Sequence, residues 1–139
     1  MDTQFNLERF VEAQAPVYRK VVAELGAGRK STHWMWFIFP QIAGLGHSAM
    51  AHKYAIGSPD EAAAYLAHPL LGERLRECSA LAAAIDAKDV SDIFDPPDDR
   101  KFHSSMTLFA EVAPDEAVFQ DNINKYFDGA PDQATIDRL

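Results

Sequence analysis

The fold class is decided by residues 58–85, which read SPDEAAAYLAHPLLGERLRECSALAAAI. Ser58 stands before a proline, and a glutamate follows three residues later; this is the pattern of a capping box with proline at the first helical position. The pair His68-Pro69 marks a break, because the residue before a proline avoids the helical region. Beyond the break, apolar residues recur every three or four positions, which is the period of one helix face. The stretch therefore predicts two consecutive α-helices.

Helical signals continue on both sides of this stretch. Toward the N-terminus, apolar residues repeat at helical spacing, and Pro16 is expected to kink the segment or to divide it into two short helices. Toward the C-terminus, helices are predicted over about 99–112 and about 115–129, with a short helix after residue 131. The apolar run 34–39 has no second strand-like run to pair with, so it is predicted to be helical. Residues 1–139 thus predict one compact all-α domain of about five to seven short helices.

The composition excludes several classes of function. Among 139 residues there are 21 acidic and 13 basic ones, and the formal charge is −8. A net acidic chain is a poor ligand for extended nucleic acid or for an anionic membrane surface. The apolar runs are too short to span a bilayer, and the first ten residues lack the apolar core of a signal peptide. Because Cys78 is the single cysteine, no internal disulfide is expected, and we predict a cytoplasmic protein.

The charge is unevenly distributed along the chain. No aspartate or glutamate occurs between Leu25 and Pro59, and we call residues 25–59 the acid-free window. Its formal charge is +3, so the rest of the chain carries −11. The window also contains both tryptophans and several glycines. Cations neutralise phosphate, glycine amides can approach it closely, and an indole can stack on a base. The window therefore predicts a site for a small phosphate-bearing ligand.

The acid-free window supplies most of the candidate site residues. The expected ligand-binding residues are Lys30, Trp36, Gln41, Gly44 and Gly46, with phosphate contact assigned to the lysine and stacking to the indole. The expected proton-transfer residues are His33 and His47, because histidine titrates near neutral pH. The alternative is that the aromatic run is core and that His33 bonds a backbone carbonyl. The histidines and the cysteine lack the spacing of metal ligands, so neither a metal nor another cofactor is expected.

A second group of candidates lies on the predicted helix 99–112. At helical spacing, Lys101, Ser104 and Ser105 share one side of this helix, while the large apolar residues occupy another. Serine is not chosen inside a helix for its propensity. The two hydroxyls either donate to a ligand or bond back to the preceding turn. We therefore expect these three residues to form a second wall of the same site.

The order of motifs resembles domain-of-unknown-function family number 1810, a bacterial family. The matching strings are HWMWFIFPQ at 33–41, GLGHS at 44–48, HPLLG at 68–72 and SSMTLF at 104–109. The resemblance covers nearly the whole chain and implies a compact, mainly helical single domain without an established activity. Some members are labelled calpastatin, but calpastatin is a disordered, repetitive inhibitor, whereas this chain has the pattern of a packed core.

A weaker similarity connects the chain to NADAR proteins, which are linked to NAD and ADP-ribose chemistry. It lies in Leu71-Gly72 with Arg74, and then in Lys101 before an apolar helix. This similarity implies binding, or hydrolysis, of an N-glycosidic ADP-ribose compound. The alternative function is a non-catalytic protein-interaction module; the oligomeric state is left open. Burial of residues 34–39 distinguishes the two, because a broad exposed aromatic patch favours the interaction module.

Overall fold

A computed structural model describes residues 5–139 as a bundle of short helices. The α-helices of this part are α1 Glu8–Gln14, α2 Tyr18–Gly26, α3 Met35–Ile38, α4 Ala49–Lys53, α5 Pro59–Ala67, α6 Pro69–Ala84, α7 Asp98–Val112, α8 Ala117–Tyr126 and α9 Gln133–Ile136. A 3₁₀ turn spans Val90–Asp92. Six of the nine helices have seven residues or more, so the expected five to seven is too low for the total. β pairing in the described residues is one isolated bridge between Ile42 and Ile56, and the all-α class is confirmed.

Prolines and N-caps set the helix boundaries that the sequence predicted. The chain around Pro16 separates α1 from α2, because a proline in a helix removes a backbone donor. The hydroxyl of Ser58 accepts from the amide of Glu61 at 3.1 Å, as in a capping box. The carboxylate of Glu61 accepts from the amide of Gly57 at 2.9 Å rather than from the N-cap residue. Pro69 opens α6 directly after α5.

The long helices α6 and α7 organise the packing. Helix α6 contacts α2, α5 and α8, while α7 contacts α5, α8 and α9. At Gly72 the backbones of α5 and α6 approach so closely that a Cβ would lie 2.0 Å from the carbonyl oxygen of Leu66. The rings of Phe39 and Phe94 lie 5.0 and 4.8 Å from that of Phe102, and this aromatic cluster packs α7 against the loops before it. The N-terminal end of α7 is thereby fixed against the segment that contains α3.

The aromatic run 34–39 divides between the core and the surface. Trp34, Phe37 and Phe39 are 0%, 7% and 1% exposed, so they belong to the core. Trp36 is only partly buried and packs against that core from outside. The run is therefore not a broad aromatic patch, and a single tryptophan of the run reaches the surface described next.

Candidate functional site

Lys101 lies where three adjoining hollows of the surface meet. The first hollow, of about 560 Å³, is lined by residues of the 29–36 and 95–101 segments, and we call it the Lys30 hollow. The second, of about 430 Å³, is lined from the 41–51 segment and from α7 and its neighbour Asp132; we call it the Asp132 hollow. A narrow gap beside Trp36 adjoins both, sharing Gln41 with the second. The three together are the Lys101 cleft.

One wall of the Lys30 hollow is held in place by the carboxylate of Glu24. This carboxylate accepts hydrogen bonds from the amides of Ser31 and Thr32 at 2.7 and 3.0 Å, from the Thr32 hydroxyl at 2.5 Å and from the Trp34 indole at 2.9 Å. Burial by itself raises the pKa of Glu24, but these hydrogen bonds outweigh it and lower the pKa to about 2. A charged carboxylate therefore orders the segment 31–34. In the sequence Glu24 reads as an ordinary polar residue at the edge of the acid-free window.

Two cations of the Lys30 hollow are committed to partners within the protein. The Lys30 ammonium lies 2.8 Å from Oδ2 of Asp98 and 5.2 Å from the Trp34 ring, and its side chain is 8% exposed. The Arg29 guanidinium donates to an oxygen of Asp95 at 2.5 Å and to backbone carbonyls of the Val90–Asp92 turn. These two side chains build the wall, and each is already paired with an aspartate.

Lys101 is placed differently from these two cations. Its ammonium lies 3.9 Å from Oδ1 of Asp98 and 5.1 Å from the centroid of the Trp36 ring, and it makes no hydrogen bond with any residue of the 5–139 part. Its side chain is 22% exposed and borders all three hollows. The Trp36 indole nitrogen beside it is buried and likewise has no partner among the described residues. A cation without a hydrogen-bond partner among the described residues is therefore available at the centre of the cleft.

The Asp132 hollow contains a carboxylate held by buried hydroxyls. Oδ2 of Asp132 accepts from the Ser104 hydroxyl at 2.8 Å and from the Thr135 hydroxyl at 2.6 Å. The Asp132 amide donates to the Thr107 hydroxyl at 2.9 Å. Because these three hydroxyl residues are 6% exposed or less, the orientation of the carboxylate is set by the interior of the protein. Asp132 was not among the expected ligand-binding residues, because an aspartate before a short helix is typical of an N-cap.

The cleft unites most of the expected site residues. Those that line it are Lys30, His33, Trp36, Gln41, Gly46, His47, Lys101 and Ser104. Gly44 and Ser105 lie elsewhere. The carbonyl of Gly44 accepts from Arg138 at 3.2 Å at a backbone φ of 99°. Ser105 is fully buried, because the next position along a helix is turned by about 100° from Ser104.

The two expected proton-transfer residues are not brought together. His33 lines the Lys30 hollow, whereas His47 lines the Asp132 hollow. Lys53, the third cation of the acid-free window, ends α4 and lines neither. Carboxylates that are distant in sequence take part instead, since Asp98 and Asp132 each border one hollow. The sequence signal for them was weak, because both stand at helix starts, where acidic residues are common.

Residues 5–139 offer neither a metal cluster nor a membrane-spanning helix. No group of three or more histidine, cysteine or acidic side chains is placed to hold a metal ion there. None of the helices of this part is both long and apolar enough to cross a membrane. The Cys78 thiol is buried, and burial raises its pKa to about 12, so it remains protonated near neutral pH.

Comparison with known proteins identifies the family. The family model "Protein of unknown function (DUF1810)" matches residues 4–139. A solved structure, that of the conserved hypothetical protein Rv1873 from Mycobacterium tuberculosis, is 52% identical with a TM-score of 0.96, over 97% of this chain and 96% of that one. No curated protein matches. The similarity to NADAR proteins stays a prediction, because none of these matches bears on it. The chain belongs to the DUF1810 family, as the strings HWMWFIFPQ and SSMTLF indicated.

Proposed function

We propose that this protein binds a small phosphate-bearing ligand, nucleotide-like or ADP-ribose-like, in the Lys101 cleft. The observation that carries the proposal is the Lys101 ammonium, which lies at the junction of the hollows without a hydrogen-bond partner among the described residues. The cleft is lined by four arginine or lysine residues and three aspartates, in a chain whose formal charge is −8. A local excess of cations in an acidic protein favours a small anion over an extended one.

The contacts around Lys101 indicate how phosphate would be held. The Lys101 ammonium supplies both a positive charge and hydrogen-bond donors to the phosphate. Because Lys101 lies over the Trp36 ring, that face of the indole is occupied by the cation. We therefore assign Trp36 to positioning the lysine, rather than to stacking on a base as the sequence predicted.

Binding is better supported than N-glycosidic hydrolysis. Hydrolysis requires an acid and a base, or a nucleophile, on the two sides of the bond that breaks. His33 and His47 lie in different hollows, and the Asp98 carboxylate is engaged by Lys30. We therefore propose binding as the function and keep N-glycosidic hydrolysis as the reaction to assay once a ligand is known.

A protein-interaction module finds less support in the surface. Among the described residues, the large apolar side chains that are exposed are Met50 and Leu139, at 37% and 42%. Two isolated side chains do not make the contiguous apolar patch that marks a docking surface. The aromatic run that suggested such a module is mostly buried.

Lys101→Met is expected to weaken phosphate binding at least tenfold. Methionine keeps an unbranched stem over the Trp36 ring but lacks the charge. Ligands that bind only the native state raise the melting temperature, so millimolar ADP-ribose, AMP or pyrophosphate should stabilise the wild type in a thermal-shift assay. Calorimetry then gives the affinity of each variant. Lys88→Met, which removes an exposed lysine outside the cleft, serves as the matched control. Equal binding by Lys101→Met, or no shift with any phosphate compound, contradicts the proposal.

Asp98→Asn is expected to tighten phosphate binding about threefold to tenfold. Its carboxylate lies 2.8 Å from the Lys30 ammonium and 3.9 Å from that of Lys101, where it competes with an incoming anion. The melting temperature should fall modestly, because Lys30 loses its partner and α7 loses an acidic residue in its first turn. Calorimetry with pyrophosphate measures the gain, with Asp99→Asn as the control for the first-turn charge. Weaker binding by Asp98→Asn would show that the carboxylate does not oppose the ligand.

A further inference from the structure

The second oxygen of Asp132 is left free at the edge of the cleft. Oδ2 accepts from the hydroxyls of Ser104 and Thr135, whereas Oδ1 accepts no hydrogen bond from any residue that the structure describes. Asp132 is also a lining residue of the Asp132 hollow. Hydroxyls from two different helices thus orient a carboxylate whose remaining acceptor is available to a ligand.

Helix capping does not account for this arrangement. The side chain of Asp132 accepts from no backbone amide of α9, which an N-cap aspartate normally does. Ser104 of α7 is 6% exposed, and its hydroxyl lies 2.8 Å from Oδ2 of Asp132 and 3.1 Å from the carbonyl oxygen of Arg100 in the preceding turn. A buried donor from another part of the fold therefore reaches the carboxylate at the shorter of the two distances. The bonds fix the direction of the carboxylate rather than the start of the helix.

The surroundings of Asp132 suit a neutral ligand rich in hydroxyl groups. Gln41, His47 and Ser48 line the same hollow and can donate or accept hydrogen bonds. A fixed carboxylate oxygen accepts from hydroxyls and repels phosphate. Lys101 lies at the border with the Lys30 hollow, so its ammonium can hold a phosphate there and offset the repulsion by Asp132.

We propose that the Asp132 hollow is a subsite for a pentose or similar polyhydroxyl ring, so that the ligand class is a sugar phosphate. The phosphate is held at Lys101, and adjacent hydroxyls of the sugar donate to the free oxygen of Asp132. A carboxylate of this kind is a common partner of ribose hydroxyls in nucleotide sites. This inference rests on the proposed function, because it extends the same cleft from phosphate to sugar.

The test compares three probes by calorimetry: inorganic phosphate, 2-deoxyribose 5-phosphate and ribose 5-phosphate. We expect the wild type to bind ribose 5-phosphate at least fivefold more tightly than its deoxy analogue. Asp132→Asn should abolish this preference while leaving the affinity for inorganic phosphate within twofold, and Lys101→Met should weaken all three. Asp137→Asn, an exposed position beside α9, is the matched control.

Ser104→Ala supplies a second variant should Asp132→Asn fail to fold. It keeps the carboxylate but removes one hydroxyl that orients it, so the preference for ribose should fall without loss of phosphate binding. Phosphate binding with no preference for ribose in the wild type overturns the sugar subsite and leaves the proposed function standing. A preference for ribose that survives in Asp132→Asn also overturns the sugar subsite and leaves the proposed function standing. If Asp132→Asn does not fold, a preference that survives in Ser104→Ala has the same consequence. Absence of binding by all three probes overturns the sugar subsite, and it overturns the proposed function as well when ADP-ribose, AMP and pyrophosphate also give no thermal shift.

Discussion

Replacing Arg9 by alanine is expected to lower the free energy of unfolding by about 3–5 kcal/mol. The guanidinium donates to the carbonyls of Lys53 and Ala55 at 2.8 and 2.9 Å and to the carboxylate of Glu61 at 2.8 Å. It also donates to two carbonyls just before α1. The two side chains of the ion pair are 15% and 8% exposed, so alanine leaves a carboxylate largely buried without its cation.

Urea denaturation of Arg9→Ala measures this loss. Arg19→Ala, at an exposed position of α2, should change the free energy of unfolding by less than about 0.5 kcal/mol. A double variant, Arg9→Met with Glu61→Met, should recover part of the stability, because it removes both charges together. A loss below about 1 kcal/mol for Arg9→Ala would show that the pair is solvated and that the carbonyl contacts contribute little.

Arg9 also connects the fold to the site. Its contacts with the carbonyls of residues 53 and 55 fix the end of α4 and the chain just after it, and Ala51 of α4 lines the Asp132 hollow. The parallel bridge between Ile42 and Ile56 joins this chain just after α4 to the residues beside Gln41, which also lines the hollow. Loss of the Arg9 hydrogen bonds should therefore make the segment 41–51, which lines the Asp132 hollow, less ordered before the long helices unfold.

Helix boundaries were predictable wherever a single residue dictates them. Pro16 removes a backbone donor, and Ser58 offers a capping oxygen. Pro69 is tolerated in the first turn of a helix but not in its interior, so local chemistry was enough to predict these boundaries. The short helices α3 and α9 were predicted as helical segments but without their bounds, and α4 was not predicted as a helix. Helices of four or five residues are unstable by themselves and form because the rest of the protein packs on them. Their ends are therefore a property of the tertiary structure.

Which residues line the candidate cleft was predictable in part, but their partners were not. The acid-free window contributes Lys30 and Trp36 to the lining of the cleft, and charge patterning reveals such a window because it shows where acids are absent. The window could not reveal that Lys30 is neutralised by Asp98, which follows 68 positions later in the chain. Spacing placed Ser104 and Ser105 on one side of α7, yet one faces Asp132 and the other the core. That choice depends on which elements pack against the helix.

Glu24→Gln is expected to lower the free energy of unfolding by about 3 kcal/mol near neutral pH. The carboxylate accepts two backbone amides, a hydroxyl and an indole N–H, and an amide side chain must turn an N–H toward one of these donors. Glu73→Gln, at an exposed position of α6, is the control and should change the free energy of unfolding little.

The pH dependence separates the role of the Glu24 charge from that of its shape. The pKa of Glu24 in the folded state is about 2, against an ordinary value of 4.5, so the unfolded state takes up the proton first as pH falls. The stabilisation by Glu24 is therefore complete above pH 4.5 and is lost as pH falls toward 2. Denaturation curves of wild type and Glu24→Gln should converge over that interval. Because Glu24 orders the segment 31–34, the variant should also bind pyrophosphate more weakly at pH 7. A constant difference in stability from pH 7 to pH 2 would show that packing, and not the charge, holds this wall of the Lys30 hollow.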